Sequence, residues 1–251
     1  MAIPLRIDDL LPQLAEWWGT RTQVLGDHLR QLEGSREFLE ALNAKVRGVP
    51  EFAGVRFTSP ADLRLYRSLL YLFTRVTVPE VYVETGVLNG FATAFTLLAM
   101  HHNGKGTLYS IDLPPADERI IAQGTTPLPA GKGPGWAIPD FLRDRHRLLL
   151  GRAQVMLPRL LEEHGQVDCF LHDSDHSYEH MMFEMALAWQ YLRPGGWLLV
   201  DNIEANDSFA DFARGVRVPG RVVASFDSPE RTWRHGMARR VVGTGESASA
   251  R

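Results

Sequence analysis

The stretch VDCFLHDSDHSYEHMMFEMALAWQYLRPGGWLLVDN, residues Val167 to Asn202, restricts the possible folds more than any other part of the chain. Val167 to Leu171 is a short apolar run that breaks into Asp173, Ser174, Asp175 and His176, the pattern of a buried parallel strand running out into a loop. Phe183, Leu187 and Tyr191 then recur at helical spacing. Pro194-Gly195-Gly196 supplies a stop, and Trp197 to Val200 forms a second apolar run ending in Asp201-Asn202. Two adjacent parallel strands thus bring acidic and amide side chains to one edge of a sheet. In open α/β sheets that carboxyl edge is where ligands bind, and oxygen donors gathered there suggest a metal site.

The 251 residues are 45% hydrophobic with a formal net charge of -3, enough to bury a large core and without the positive excess that holds polyanions. Nucleic acid is not an expected partner. Cys169, the sole cysteine, lies inside an apolar run and reads as a small core residue, so no disulfide forms within the chain. The N-terminal MAIPLRIDDLLPQL has acidic residues where a signal peptide needs basic ones, and no apolar stretch is long enough to span a bilayer. The expectation is a soluble cytoplasmic protein with no membrane partner.

Three zones follow one another. In residues 1–77, Leu25, Leu29 and Leu32, then Phe38, Leu42 and Val46, then Tyr66, Leu69, Leu70 and Phe73 repeat at helical spacing, with a loop from Gly48 to Pro60. Residues 78–243 alternate apolar runs with helical stretches, which predicts βαβ units around a parallel sheet. Residues 244–251 are small and polar and read as a disordered tail. Pro114 to Pro139, rich in Pro and Gly, reads as a long functional loop.

The first strand of the alternating zone, Glu80 to Glu84, runs into Thr85-Gly86-Val87-Leu88-Asn89-Gly90 and a helix from Phe91 to about His101. Glycines there let backbone approach a ligand, and the helix N-terminus offers free amide hydrogens. Taken alone, this turn lacks the spacing of the dinucleotide fingerprint and also fits a plain tight turn. The next strand, Thr107 to Ile111, ends in Asp112, placed where such folds hold ribose hydroxyls. Together the two features suggest an adenosine-type ligand.

The segments VYVETGVLNGFATAF, YSIDLPP, HRLLLGRA and FLHDSDHSYEHMMFEMALAWQYLRPGGWLLVDNIEANDSF resemble the class I S-adenosylmethionine (SAM)-dependent methyltransferases. Within them the similarity is to small metal-dependent O-methyltransferases of sugar and antibiotic biosynthesis. The resemblance covers roughly Val81 to Phe212 and implies a Rossmann-like α/β fold with a seven-stranded, mostly parallel sheet. Its last two strands would form an antiparallel hairpin, here Arg221 to Phe226 and Gly236 to Val242. It also implies that Glu84, Thr85, Gly86, Asn89 and Gly90 bind the cofactor, with Asp112 on the ribose and Gly151, Arg152 and Ala153 near the adenine. Asp173, Asp201 and Asn202 match a divalent-metal ligand set, Asp173 also bordering the cofactor, and His176 matches a general base, with Asp175 beside it. Some relatives carry a carboxylate where this chain has Asn202.

Methyl transfer from a sulfonium to an alcohol calls for such a set, because the alcohol is a poor nucleophile until its proton leaves. A hard cation lowers the pKa of a bound oxygen, for water from about 15.7 to roughly 7 at zinc. Oxygen donors select magnesium, manganese or calcium over soft metals. Histidine titrates near neutral pH and suits the acceptor of that proton.

Other readings stay open. Asp173 also suits a helix cap near Ser177, and Asp175 a cap or supporting partner. His172, His176 and His180, spaced by four, suggest zinc, but strand and helix membership predicts that they do not share a face. His101 and His102 suit the negative end of a helix. Trp17, Trp18 and Trp136 fit core or pocket walls. A strand-end D-x-D at Asp173 and Asp175 also fits a nucleotide-sugar glycosyltransferase, and the glycine turn with Asp112 fits a non-catalytic or dehydrogenase-type nucleotide-binding domain. For a methyltransferase, the acceptor is a small hydroxylated molecule, a carboxylate giving a methyl ester being the alternative. Self-association through the N-terminal helices is a further expectation.

Overall fold

A computed structural model of the chain describes residues 7–59, 65–114, 128–228 and 231–241. Four helices come first: α1 (Ile7–Trp18), α2 (Thr22–Glu33), α3 (Arg36–Val46) and α4 (Leu65–Thr77). The alternating zone follows as β1 (Val81–Thr85), α5 (Phe91–Asn103), β2 (Thr107–Asp112), β3 (His146–Leu150), α6 (Ala153–His164), β4 (Val167–His172) and α7 (Tyr178–Tyr191). It ends with β5 (Leu192–Val200), α8 (Ser208–Gly215), β6 (Arg221–Ser228) and β7 (Arg231–Arg239).

The seven strands pair in the order β3-β2-β1-β4-β5-β7-β6, all parallel except β7, which runs antiparallel to both neighbours. This is the expected Rossmann-like sheet. The chain winds outward in both directions from β1 and β4, so the crevice favoured for ligands lies between their carboxyl ends. Both sheet faces are covered. Tyr82, Leu108, Leu171, Leu199 and Met237 share one core with the buried stripes of α1 to α4 and with α5. Val83, Phe170, Leu198 and Val200 pack against α6, α7 and α8 on the other face. Alternation along a strand assigns each strand-end residue to one of these faces.

Several boundaries differ from the sequence reading. β7 begins at Arg231 rather than Gly236, which brings His235 into the strand. α7 ends at Tyr191, and Pro194 to Gly196 lie inside β5, where an added Cβ at Gly196 would meet the Arg193 and Asp168 carbonyl oxygens at 2.9 Å. The buried stripe of α7 is Met181, Glu184, Met185 and Ala188, not the Phe183, Leu187 and Tyr191 row. His102 is half-buried against the Tyr71 hydroxyl at 2.8 Å, and burial with Arg75 nearby pushes its imidazole down to about 4. It is neutral there, so it supplies no charge to the end of α5. Burial pushes the Cys169 thiol far up, consistent with an inert core residue. Trp18 is buried against Phe73, while Trp17 carries the Arg221 guanidinium over its ring. No helix among the described residues is long and apolar enough to cross a membrane. Residues 115–127 of the Pro/Gly loop and the tail from 242 onward lie outside the described residues.

Candidate active site

Backbone hydrogen bonds join the carboxyl ends of β3, β2, β1, β4 and β5 into a staggered row. Gly151 donates to the Asp112 carbonyl, Gly86 to Ile111, Asp173 to Thr85 and Asp201 to His172, each at 2.9 Å. The ligand-binding residues expected from the sequence lie on this row or in the first turn beyond it.

On the β1 to β3 side, the glycine turn is tied down by Asp112. Its Oδ2 accepts from the Val87 and Leu88 amides at 2.9 and 2.7 Å, and its Oδ1 from Leu113 at 2.6 Å. Leu88 and Leu150, beside Asp112, leave 38% and 49% of their surface open. A carboxylate between exposed apolar side chains fits a ligand that presents hydroxyls next to a flat apolar ring. Gly86 has φ +86, and a Cβ there would lie 1.9 Å from the Asp173 carbonyl oxygen. Gly90 has φ +87, and its Cβ would meet Ile138 and Gly135 at 2.7 and 2.8 Å. These contacts with the protein's own chain require glycine at both positions, independently of any approach to a ligand. Asn89 accepts the Trp136 indole N–H at 2.6 Å, which pins the end of the Pro/Gly loop onto the turn. Arg152 and Ala153 open α6 just after Gly151.

Glu84 is 1% exposed and lies beneath the turn, accepting the Ser110 hydroxyl at 2.6 Å; Ser110 in turn meets His146 Nε2 at 2.8 Å. Burial pushes the Glu84 carboxyl up to about 7, against the opposing hydrogen bonds of Ser110 and Thr93.

On the β4 to β7 side, donor atoms of Asp173, His176 and Asp201 all lie within 4.8 Å of one another. Burial raises the Asp173 carboxyl well above its ordinary range, and the Asp201 carboxylate beside it raises it further. For Asp201, burial pushes upward, but the hydrogen bond and charge of His235 outweigh it and hold the carboxyl below its ordinary value. Burial and mutual repulsion thus oppose full ionisation of these two neighbouring oxygen donors, a tension that a divalent cation between them would relieve. His176 Nε2 lies 3.9 Å from Asp173 Oδ1 and has no hydrogen-bond partner. Burial, with His172 nearby, lowers its imidazole below the usual value, so it is neutral at pH 7 and able to accept a proton. Asn202 adopts φ +52 and donates its amide to Glu204 at 2.9 Å.

Asp175 accepts the Ser177 amide at 2.9 Å, fixing the start of α7. Asp175 is not among the donors that cluster within 4.8 Å of one another, so the D-x-D on which a glycosyltransferase would depend is split. The sequence reading also missed Glu184. This buried carboxylate meets His172 Nδ1 at 2.6 Å and His180 Nε2 at 2.8 Å, and accepts the Thr85 and Ser174 hydroxyls at 2.5 and 3.1 Å. His172 and His180 thus converge, contrary to the expectation from strand and helix membership, on a carboxylate under the row. Also missed were His235, whose Nδ1 contacts Asp201 Oδ1, and Tyr66, stacked on His235 with centroids 4.2 Å apart. Alternation of Trp233, His235 and Met237 would have pointed to His235 had the strand been started earlier.

A seven-stranded doubly wound sheet with an antiparallel β7, a glycine turn after β1 and a strand-end acid after β2 has the architecture of a class I methyltransferase domain. The methyltransferase-domain family model matches residues 83–203 of the chain. A provisionally named O-methyltransferase of Mycolicibacterium vanbaalenii is 30% identical over 64% of this chain, and a counterpart from Mycobacterium sp. (strain JLS) is 31% identical over 62%. The match spans 66% of the length of each relative. The O-methyltransferase from Bacillus cereus, solved in complex with SAH, superposes with a TM-score of 0.54 at 14% identity, covering 84% of this chain and 99% of its own. TomG from Streptomyces achromogenes, an O-methyltransferase of tomaymycin synthesis solved with SAM, gives 0.55 at 18% identity, covering 84% and 92%. At these identities the superpositions speak for the fold.

Proposed function

We propose that the protein is a SAM-dependent O-methyltransferase that methylates a hydroxyl of a small molecule, using a divalent cation (Mg2+ or Mn2+) and His176 as base. One observation carries this reading: a close pair of carboxylates and an unpartnered imidazole sit one backbone hydrogen bond away from the strand end that opens the glycine turn. SAM, when bound, supplies a methyl group on a positively charged sulfur. Asp112, with Leu88 and Leu150, would hold its adenosine part, Gly151 to Ala153 would border the base, and the amides at the start of α5 and Asn89 would face the amino-acid end. A divalent cation, when bound, supplies positive charge that favours the ionised form of the acceptor oxygen. Asp173 and Asp201 would hold it, with the Asn202 carbonyl oxygen as a further donor. His176 Nε2 takes the proton of the acceptor hydroxyl. Tyr66 in the first turn of α4 stacks on His235 beside Asp201, and α4 with residues 128–139 would border the acceptor.

Two expected results test the reading. SAM and SAH bind in calorimetry while NAD does not, and Asp112→Ala weakens SAM binding by roughly 1.5 to 3 kcal/mol, the scale of hydrogen bonds to a charged group. Binding of NAD but not SAM rejects the methyltransferase assignment. SAH release with an accepted substrate falls on exhaustive chelation and returns with Mg2+ or Mn2+, while SAM affinity persists without metal. A rate indifferent to chelation removes the cation from the reaction.

A further inference from the structure

Where α2, α4 and α5 meet, away from the carboxyl edge of the sheet, a cation stands without a counter-ion among the described residues. Arg75 lies in the last turn of α4, its side chain half-buried and its Nε and Nη1 fully buried without a hydrogen-bond partner. An arginine at this point of a helix commonly bonds the last carbonyls. Here other groups hold them: the Thr74 carbonyl accepts from the Asn103 side-chain amide at 2.9 Å and the Val78 amide at 3.1 Å, and the Phe73 carbonyl from the Thr77 hydroxyl at 2.8 Å. Buried charges are paired as a rule, because an ion that loses its hydration must recover the energy elsewhere. Two unmet guanidinium N–H groups therefore mark a place that an acceptor completes.

The neighbours of Arg75 add donors. Its guanidinium lies 6.0 Å from the centre of the Tyr71 ring, and its charge and a hydrogen bond from it oppose the burial that pushes the phenol up to about 12. The Tyr71 hydroxyl meets His102 Nδ1 at 2.8 Å. With the phenol oxygen accepting from Arg75, its proton points at Nδ1, and the neutral imidazole carries its own proton on Nε2. Burial, then Arg75, His101 and His28, hold His102 at about 4, and none of these groups is a carboxylate. His28 faces the cluster from α2; burial and Arg75 lower its imidazole against Asp27, an exposed carboxylate that already accepts from Arg30 and Gln23. We propose that this cluster is a binding site for a tetrahedral oxyanion of the phosphate type, because N–H groups converge on it from α4 and α5, with His28 of α2 beside them, and their acceptor must present oxygens in several directions. The site is separate from the methyltransferase crevice: Tyr66, which reaches Asp201 through His235, stands in the first turn of the same helix, about 14 Å away at 1.5 Å per residue.

Inorganic phosphate is the probe, titrated by calorimetry into the full-length protein at constant ionic strength set with sodium chloride. The wild type binds it saturably. Arg75→Met keeps the apolar stem, deletes the guanidinium and loses about 10- to 100-fold of phosphate affinity, the scale of hydrogen bonds from a charged group. His102→Phe keeps a ring in place, deletes the imidazole donor and loses about 5- to 10-fold, as expected for one neutral hydrogen bond, and it carries the test if the Met variant does not fold. Arg36→Met, which removes an exposed guanidinium from α3, binds phosphate as the wild type does. Absence of saturable binding to the wild type, or wild-type affinity in either cluster variant, overturns the inference. Equal losses in Arg36→Met and Arg75→Met would show diffuse attraction to surface charge and overturn it as well.

Discussion

Replacing His176 with Ala lowers the rate of methyl transfer by about 10²- to 10⁴-fold, the usual worth of a positioned general base, with SAM affinity nearly unchanged. The imidazole must be neutral to accept the proton. Burial, followed by the neighbouring His172, lowers its pKa from the ordinary 6.5, so the wild-type rate climbs with pH on the acid side of that value and is level at neutrality. Initial rates of SAH formation across that range, at saturating SAM and metal, show the limb in the wild type and its loss in the variant. Circular dichroism separates this from unfolding of the loop, whose backbone is held independently by the Asn206 amide on the His176 carbonyl at 2.9 Å. A variant with a near-normal rate and the same acid limb would move the base elsewhere, with Asp175 on the same loop the first residue to test.

Glu184→Gln produces the largest expected loss of stability. Burial alone would raise this carboxyl, but hydrogen bonds from His172 and His180 and their charges reverse the effect and bring it down to about 2 from an ordinary 4.5. A carboxyl whose folded pKa is depressed contributes stability above its unfolded value and loses it as the pH falls through the folded one. The contribution is therefore complete above about pH 4.5, disappears towards pH 2, and amounts to roughly 3 kcal/mol at neutral pH. His180 has the opposite sense. Its raised pKa contributes stability below 6.5 that fades as the pH rises through the folded value. Urea unfolding as a function of pH reads both limbs. In the Gln variant the neutral-pH stability falls by that roughly 3 kcal/mol and the limb between pH 4.5 and 2 flattens. Wild-type-like stability with an intact acid limb would show that the network is not held by charge.

Much of the site was legible because its residues cluster in sequence where strands end. The Val167 to Asn202 stretch has both apolar runs and both acids in one uninterrupted piece, and the turn from Thr85 to Gly90 announces itself through glycine. The residues that escaped reach the site from elements whose local pattern says something else. Tyr66 sits in a regular apolar repeat with Leu69, Leu70 and Phe73 and reads as core, which its ring is; only the tertiary fold directs its hydroxyl to the acids. His235 lies one residue before the strand start expected at Gly236, whereas the strand runs from Arg231; position 236 is glycine because the Phe209 ring occupies the space of its Cβ, with atoms at 2.7 Å. Glu184 was masked by a choice of helical face. The larger residues Phe183, Leu187 and Tyr191 advertise a stripe, yet the face towards the sheet is the one with Met181 and Met185, where a carboxylate is tolerated because two imidazoles await it.

The missing side chain at Gly86 has a consequence for how two ligands would sense each other. Its Cα rests on the main chain of Asp173, with no rotamer between them to absorb a displacement. A shift of the glycine turn on one side of the crevice is passed directly to the backbone that aims the first carboxylate on the other. Any factor by which a cation there would change the affinity for SAM would be returned by SAM to the cation, because the thermodynamic cycle makes a coupling the same read from either end.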